Sequence, residues 1–416
     1  MIAVLAALAL VFTLVARRLS ALNITAPMLS VLAGFLVFAA TDMPIDTGAV
    51  HVVAELALVV VLFHDASTVK LSKLRQDPGI PVRLLLIGFP LAVVATYLLT
   101  REMLPAVGVA GAWLLAASIT PTDAGLGAPT VLNPVVPTRI RRALNVESGL
   151  NDGLATPIVL LALTTLVAEQ GDTEPTILQI GVVPVVLALV CATVVALLAA
   201  WAMDRSRERH WSTPRGRALA IAAVPLVLFG VAEVVGANVF ITAFVAGLIF
   251  GAASITLDEE HETSDLIEIG ADLFGFVVWF FAGGILLNVL QAGVQWQWVL
   301  LAVLALTVLR MVPVLVALLG TGFRWQTVLF IGWFGPRGLA TIVFGLLAFE
   351  ELGSDATVMG PVAGVIAFTV LFSVFAHGIS AGPLSRRYGQ WAGSTQAPIE
   401  STASVEPQPA RGRSGF

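Results

Sequence analysis

Apolar stretches about as long as a membrane-spanning helix recur along the whole chain, and no soluble fold could hide them all. A hydrocarbon layer about 30 Å thick is crossed by a helix of roughly 20 apolar residues. Stretches near that length fall at 1–16, 26–40, 49–68, 81–100, 105–134, 140–168 and 176–202, then at 215–235, 237–253, 265–288, 297–319, 325–350 and 357–383. Of the 416 residues, 58% are hydrophobic and 12% charged, so most of the surface must have lipid as its solvent. The expected fold is an all-α polytopic membrane protein of about 13 transmembrane helices over residues 1–387. Residues 388–416, rich in Ser, Gly, Pro and Gln, are expected to form a disordered cytoplasmic tail. The single cysteine, Cys191, sits in an apolar run and reads as a packed small residue.

Charge placement gives a direction. Met1 opens the first stretch with no basic residue ahead of it, and Arg17 and Arg18 follow, the reverse of a signal peptide. The expectation is a retained span with the N-terminus outside, which an odd count turns into a cytoplasmic C-terminus. On that assignment nineteen of the 22 Lys and Arg residues fall in cytoplasmic loops or the tail. Arg101 alone lies outside, and Arg310 and Arg337 lie within spans. This alternation follows the positive-inside rule. The acidic loop at 254–265 (Asp258, Glu259, Glu260, Glu262) is the exception, and acidic residues bear little on orientation.

Two stretches are interrupted by Pro and Gly beside polar groups. The fifth reads Ser118-Ile119-Thr120-Pro121-Thr122-Asp123-Ala124-Gly125, and the twelfth reads Gly332-Trp333-Phe334-Gly335-Pro336-Arg337-Gly338. They lie seven spans apart, as equivalent positions would in two inverted six-helix repeats joined by one linker span. Paired broken helices of this kind mark the midplane site of secondary transporters. Charges inside a membrane are costly and mark ion or proton pathways. Here they are Asp65, Asp123, Glu147, Asp152, Asp272, Arg310 and Arg337, with Glu55, Glu233 and His377 as further candidates. The densest group is Glu147-Ser148-Gly149-Leu150-Asn151-Asp152. Helical spacing pairs Glu147 with Asn151 and Ser148 with Asp152, so four polar side chains share a face. A hard monovalent cation takes oxygen ligands, and carboxylate, hydroxyl, amide and freed carbonyl groups supply them. A carboxylate in that setting binds either a cation or a proton, and the competition is exchange in its simplest form.

Together these elements resemble the bacterial NhaP branch of the cation:proton antiporter-1 family. The likeness rests on Thr122-Asp123 in a broken helix, Glu147-Ser148 with Asn151-Asp152, and Gly335-Pro336-Arg337-Gly338. Phe240-Ile241-Thr242-Ala243-Phe244-Val245-Ala246-Gly247 and Leu62-Phe63-His64-Asp65 add to it. The resemblance implies that Asp152 carries cation and proton, with Asp123, Ser148 and the backbone oxygen of Thr122 completing a Na+ site. Asn151 would stand where electrogenic relatives have a second aspartate, implying one-for-one, electroneutral exchange. Glu147 would pair with Arg337, and Asp65 would line a cytoplasmic access funnel. A homodimer is implied, its core moving against a dimerisation domain in an elevator-like, alternating-access cycle in a bacterial inner membrane, in the service of pH homeostasis.

Arg337 also calls for a carboxylate on physical grounds, because a buried guanidinium cannot shed its proton. Glu147 is its expected partner, and Asp272 that of Arg310. The five histidines have no metal-ligand spacing, and Trp296 and Trp298 read as an interfacial belt. Na+ or Li+ is the expected substrate, and a K+/H+ antiporter or an electrogenic exchanger on the same scaffold is the alternative, with a channel ranked lower. No H-E-x-x-H, G-x-S-x-G or Walker lysine occurs, so neither an enzyme nor a nucleotide-driven pump is expected. No cofactor and no nucleic-acid partner is expected.

Overall fold

A computed structural model describes residues 2–41, 47–69, 79–170, 182–259, 265–353, 356–395 and 399–400. Lys70, Lys73, Arg75 and residues 260–264 of the acidic loop lie outside these residues. Each expected stretch is helical over its described residues, apart from the breaks: α1 (Ile2–Ala21), α2 (Ala26–Thr41), α3 (Thr47–Thr68), α4 (Gly79–Met103), the half-helices α5a (Gly108–Ile119) and α5b (Ala124–Val131), α6 (Thr138–Gln170) and α7 (Val183–Glu208). They continue as α8 (Pro214–Val235), α9 (Val239–Ala253), α10 (Asp265–Ala292), α11a (Trp296–Leu306), α11b (Val308–Ala317), α12a (Trp325–Trp333), α12b (Leu339–Leu352) and α13 (Ala356–Ser394). Among the described residues, nine helical segments are long and apolar enough to cross a membrane, and α2 and α9 are shorter apolar helices. The chain is a multi-pass membrane protein.

Local chemistry sets many of the boundaries. Gly236 closes α8 at φ +69, and Asn238 then caps α9 by accepting from the Ile241 N–H at 2.9 Å. Thr213 caps α8 in the same way, with Pro214 in the first turn where a missing N–H costs nothing. Pro90 follows a π turn at Leu84–Gly88, which absorbs the carbonyl its ring would strike.

Two close helix pairs organise the bundle, α2 with α10 and α3 with α9. Gly34 and Gly283 sit against the backbone of Phe280 and Val31, and Gly247 and Gly251 against that of Phe63 and Ser67. A side chain at any of the four would push the helices apart, which is how small residues drive association where lipid removes the hydrophobic force. If α1–α6 and α8–α13 are equivalent halves, α2 corresponds to α9 and α3 to α10, so these two pairs exchange into one another. The two short helices exchange as well.

Three expectations are corrected. The eleventh segment is also interrupted, at Thr307 (φ −113, ψ −93). Trp298 is buried and stacks over Gly364 of α13, leaving Trp296 as the exposed member of that pair. Part of the segment beyond residue 387 is structured: α13 continues to Ser394, and Ile399–Glu400 pack back on the bundle, while 396–398 and 401–416 lie outside the described residues. The Glu400 carboxylate accepts from the Arg324 N–H at 3.2 Å and Thr327 Oγ1 at 3.0 Å, while Arg139 donates to the Ile399 carbonyl at 2.8 Å. An acid at the first turn of α12a meets orphan N–H groups there, which is why this segment docks.

Candidate functional site

The two expected breaks touch. Pro121 has no N–H to continue α5a, and the chain turns through Thr122 to Asp123, which caps α5b by accepting from the Leu126 N–H at 2.8 Å. The second oxygen of the same carboxylate accepts from the Leu339 N–H at 2.8 Å, the first residue of α12b. The Asp123 N–H donates to the Pro336 carbonyl at 2.8 Å. One carboxylate therefore neutralises the positive ends of two half-helices. Gly338 makes this possible, because any Cβ there would overlap the Asp123 carboxylate.

Arg337 does the converse. Its guanidinium donates to the Pro121 carbonyl at 3.1 Å and to the Ala305 carbonyl at 3.1 Å. These oxygens sit at or just beyond the C-terminal ends of α5a and α11a, where carbonyls lack helical partners and the dipole favours a cation. Its backbone N–H donates to Ser373 Oγ at 2.6 Å. His377, one turn further along α13, meets the Trp333 carbonyl through Nε2 at 2.9 Å. It is buried there, and α13 braces the break in α12.

The expected Glu147–Arg337 pair is not formed. The Glu147 carboxylate is held by the fork of Arg310, with Nη1 on Oε1 and Nη2 on Oε2 at 2.8 Å. Both side chains are buried. The interruption at Thr307 accounts for the exchange: it frees the Ala305 carbonyl for Arg337 and lets α11b set Arg310 against α6. Arg310 is consequently not the partner of Asp272. Sequence had marked Arg310 as an intramembrane charge; what it lacked was a signal for the break, because Thr307 is an ordinary helical residue.

The α6 face packs on the first break. Asn151 clamps Thr122, its Nδ2 donating to Thr122 Oγ1 at 2.7 Å and its Oδ1 accepting from the Thr122 N–H at 3.2 Å. Ser148 Oγ lies 2.9 Å from Thr122 Oγ1. Asp152, one turn beyond Ser148, is buried. Thr122, Asp123, Ser148, Asn151 and Asp152 thus gather where α6 meets the crossing. Asp65 lies close by on α3, with its backbone carbonyl over Gly149 and its carboxylate 3.1 Å from His64 Nδ1. A cavity of about 400 Å³ reaches Asp123 between α1, α2 and α10 on one side and α5b and α13 on the other; Asp65 is not in its lining. Among the described residues no group of three His, Cys, Asp or Glu side chains could hold a metal ion. The oxygens gathered here suit a weakly held alkali cation, a substrate rather than a resident metal.

The sodium/hydrogen exchanger transmembrane family profile matches residues 4–387. A Na+/H+ antiporter of Schizosaccharomyces pombe is 24% identical over 312 residues, covering 67% of this chain and 65% of that protein. Na+/H+ antiporter 2 of Zygosaccharomyces rouxii is 24% identical over 312 residues, covering 67% and 38%. The chain therefore spans less than two thirds of the length of these relatives. Among solved structures, the sodium proton antiporter MjNhaP1 of Methanocaldococcus jannaschii at pH 8 superimposes with a TM-score of 0.68 at 20% identity, over 93% of this chain and 98% of that one. The fold is that of the NhaP antiporter, and these relatives are fungal and archaeal.

Proposed function

The chain belongs to the sodium/hydrogen exchanger family, and from that premise we propose that it is a secondary antiporter exchanging Na+ for H+. The observation that carries the reading is the local charge balance at the crossing. Asp123 is committed to two half-helix N-termini, Arg337 to two freed carbonyls, and Glu147 to Arg310. Asp152, buried on the α6 face that packs against the crossing, is the carboxylate whose charge changes during the cycle in this reading. It takes Na+ with Ser148 and the Thr122 carbonyl as further ligands and Asp123 beside them, or it takes a proton. Binding of one excludes the other, so each passage of Na+ in one direction returns a proton in the other. Asn151 spends both ends of its amide on Thr122 and does not titrate, which favours one proton per Na+ and electroneutral exchange.

Alternating access follows if the unit containing the crossing moves against the α2–α10 and α3–α9 pairs, in a homodimer oriented with the N-terminus outside and the C-terminus in the cytoplasm. Release of Na+ or uptake of protons would then serve pH homeostasis. The test is proton flux in proteoliposomes on addition of Na+, Li+ or K+, with and without a potassium-clamped potential. Flux with Na+ that ignores voltage supports the proposal. Flux with K+ alone turns it into a K+/H+ antiporter, voltage-dependent flux removes electroneutrality, and no flux with any of the three removes antiport.

A further inference from the structure

The break in α12 separates one backbone donor from the acceptor that an unbroken helix would give it. In a continuous helix the Arg337 N–H would bond the Trp333 carbonyl four residues back. Here each turns to α13. The Arg337 N–H donates to Ser373 Oγ at 2.6 Å, and His377 Nε2 lies 2.9 Å from the Trp333 carbonyl, which also accepts from the Gly335 N–H at 2.9 Å. Ser373 and His377 stand one turn apart on α13, so two of its side chains replace a single missing bond of α12. Arg337, Ser373 and His377 are each at most 1% exposed, so water does not reach them to do the same work.

The bonds also share a direction. A carbonyl only accepts, so His377 Nε2 carries a proton. Ser373 Oγ receives the Arg337 N–H and keeps its own proton to give, and His377 Nδ1 lies 3.3 Å away. The other neighbour of Nδ1, the Ser373 carbonyl at 3.1 Å, would call for a second ring proton, and its helical partner is the His377 backbone N–H. At the far end, the Pro336 carbonyl belongs to the same peptide unit as the Arg337 N–H and accepts from the Asp123 N–H at 2.8 Å. A run of donors therefore leads from Asp123 through the Pro336–Arg337 peptide and Ser373 to His377, and ends on the Trp333 carbonyl. In such a chain each bond polarises and strengthens the next.

We propose that Ser373 and His377, the latter as a neutral imidazole protonated on Nε2, are positioning residues that hold the α12 break open and fix the peptide on which the Asp123 backbone rests. This rests on the antiporter reading, in which neither residue touches the transported ions and both act through Asp123 and Arg337.

The first measurement uses the unmodified full chain in liposomes. Ala376-His377 is the one Ala-His step in the sequence, so carbonyl-labelled alanine combined with nitrogen-labelled histidine picks out this ring by solid-state NMR. The expected spectrum, at the pH of the flux assay, shows a protonated Nε2 and a bare Nδ1. Two protonated ring nitrogens, or a proton on Nδ1 alone, overturn the proposal. The second measurement is Na+-dependent proton flux in proteoliposomes. Ser373→Ala and His377→Leu should each lower turnover about ten-fold, the scale of one hydrogen bond. The double variant should fall little further, because links of one chain are lost together. Parental flux in either single variant, or losses that multiply to about a hundred-fold in the double, overturn the shared role. If the variants do not fold, the ring spectrum of the parent decides alone. A parent that exchanges no alkali cation fails the antiporter reading and takes the positioning role with it; with an exchanging parent, any failure belongs to the α13 pair.

Discussion

Glu147→Ala isolates the buried ion pair and separates its two candidate partners. Glu147 and Arg310 are 1% and 4% exposed, and the fork of Arg310 spends both terminal nitrogens on the one carboxylate. Truncating Glu147 leaves a guanidinium that cannot deprotonate, with the distant Ile331 carbonyl at 3.5 Å as its remaining neighbour at that end. Breaking a buried pair by removing one partner costs about 3–5 kcal/mol, against a median below about 1 kcal/mol for surface pairs. In a chain of this size that corresponds to a fall on the order of 5 °C in apparent melting temperature, read as tryptophan fluorescence or loss of the monodisperse peak on heating in detergent. Removing both charges, in Glu147→Leu with Arg310→Met, should recover most of the loss, because packed apolar side chains replace a buried pair at little net cost. The cycle built from these variants should therefore show a coupling of about 2 kcal/mol or more for Glu147 with Arg310. The same cycle with Arg337 should show much less, since Arg337 keeps its carbonyl partners when Glu147 is lost. Strong coupling to Arg337 and none to Arg310 would refute the assignment and restore the pair expected from sequence.

Asp152→Asn should abolish Na+-dependent proton flux while leaving the melting temperature within about 2 °C of the parent, as expected for a group whose task is exchange and not packing; retained flux would remove Asp152 as the carrier. Gly338→Ala should drive a methyl into the Asp123 carboxylate and break the bonds to Leu339 or Leu126, so exchange and thermal stability should fall together; a variant with parental values of both would mean that the crossing relaxes freely. Glu400→Ala removes the cap at the start of α12a and should cost about 1 kcal/mol, visible as a small drop in melting temperature and faster proteolysis at the C-terminal end, and identical digestion patterns would count against docking of this segment.

How much of this was legible in sequence depended on which physical signal carried it. Apolar length and periodic positive charge mark the spans, because lipid imposes length and the positive-inside bias acts on short loops. The breaks in α5 and α12 announce themselves through Pro121, Pro336 and the glycines around them. Thr307 announces nothing: a helix can be opened there by what surrounds it, and the partner of Glu147 depended on that opening. The order of 388–395 and 399–400 was equally hidden, since a polar composition predicts solvation until one acid meets the free N–H groups of α12a. The α6 face was readable because its oxygens recur at helical spacing. That Asn151 faces Thr122, however, is a matter of how α6 packs on the break.

The crossing gathers many polar groups where the surrounding medium is least able to solvate them, and each must be answered locally. Breaking α5 and α12 exposes N–H groups at the starts of α5b and α12b, and the ends of α5a and α11a expose carbonyls. Asp123 answers the first set and Arg337 the second, so the fixed charges are matched to fixed dipoles with no change needed during transport. Glu147 and Arg310 answer each other. Neutral hydrogen bonds hold Thr122, Ser148 and Asn151. A site balanced in this way makes a titrating carboxylate sensitive to which cation it holds, because no neighbour is free to take up the difference. Replacing Asn151 by aspartate would upset the balance at that point: the amide donor to Thr122 Oγ1 would be lost and a second negative charge would stand beside Asp152. Asn151→Asp is therefore expected to weaken the Thr122 clamp and to make flux respond to membrane potential in the clamped-liposome assay. Voltage-independent flux at parental rates would show that the charge count at this position does not set the stoichiometry.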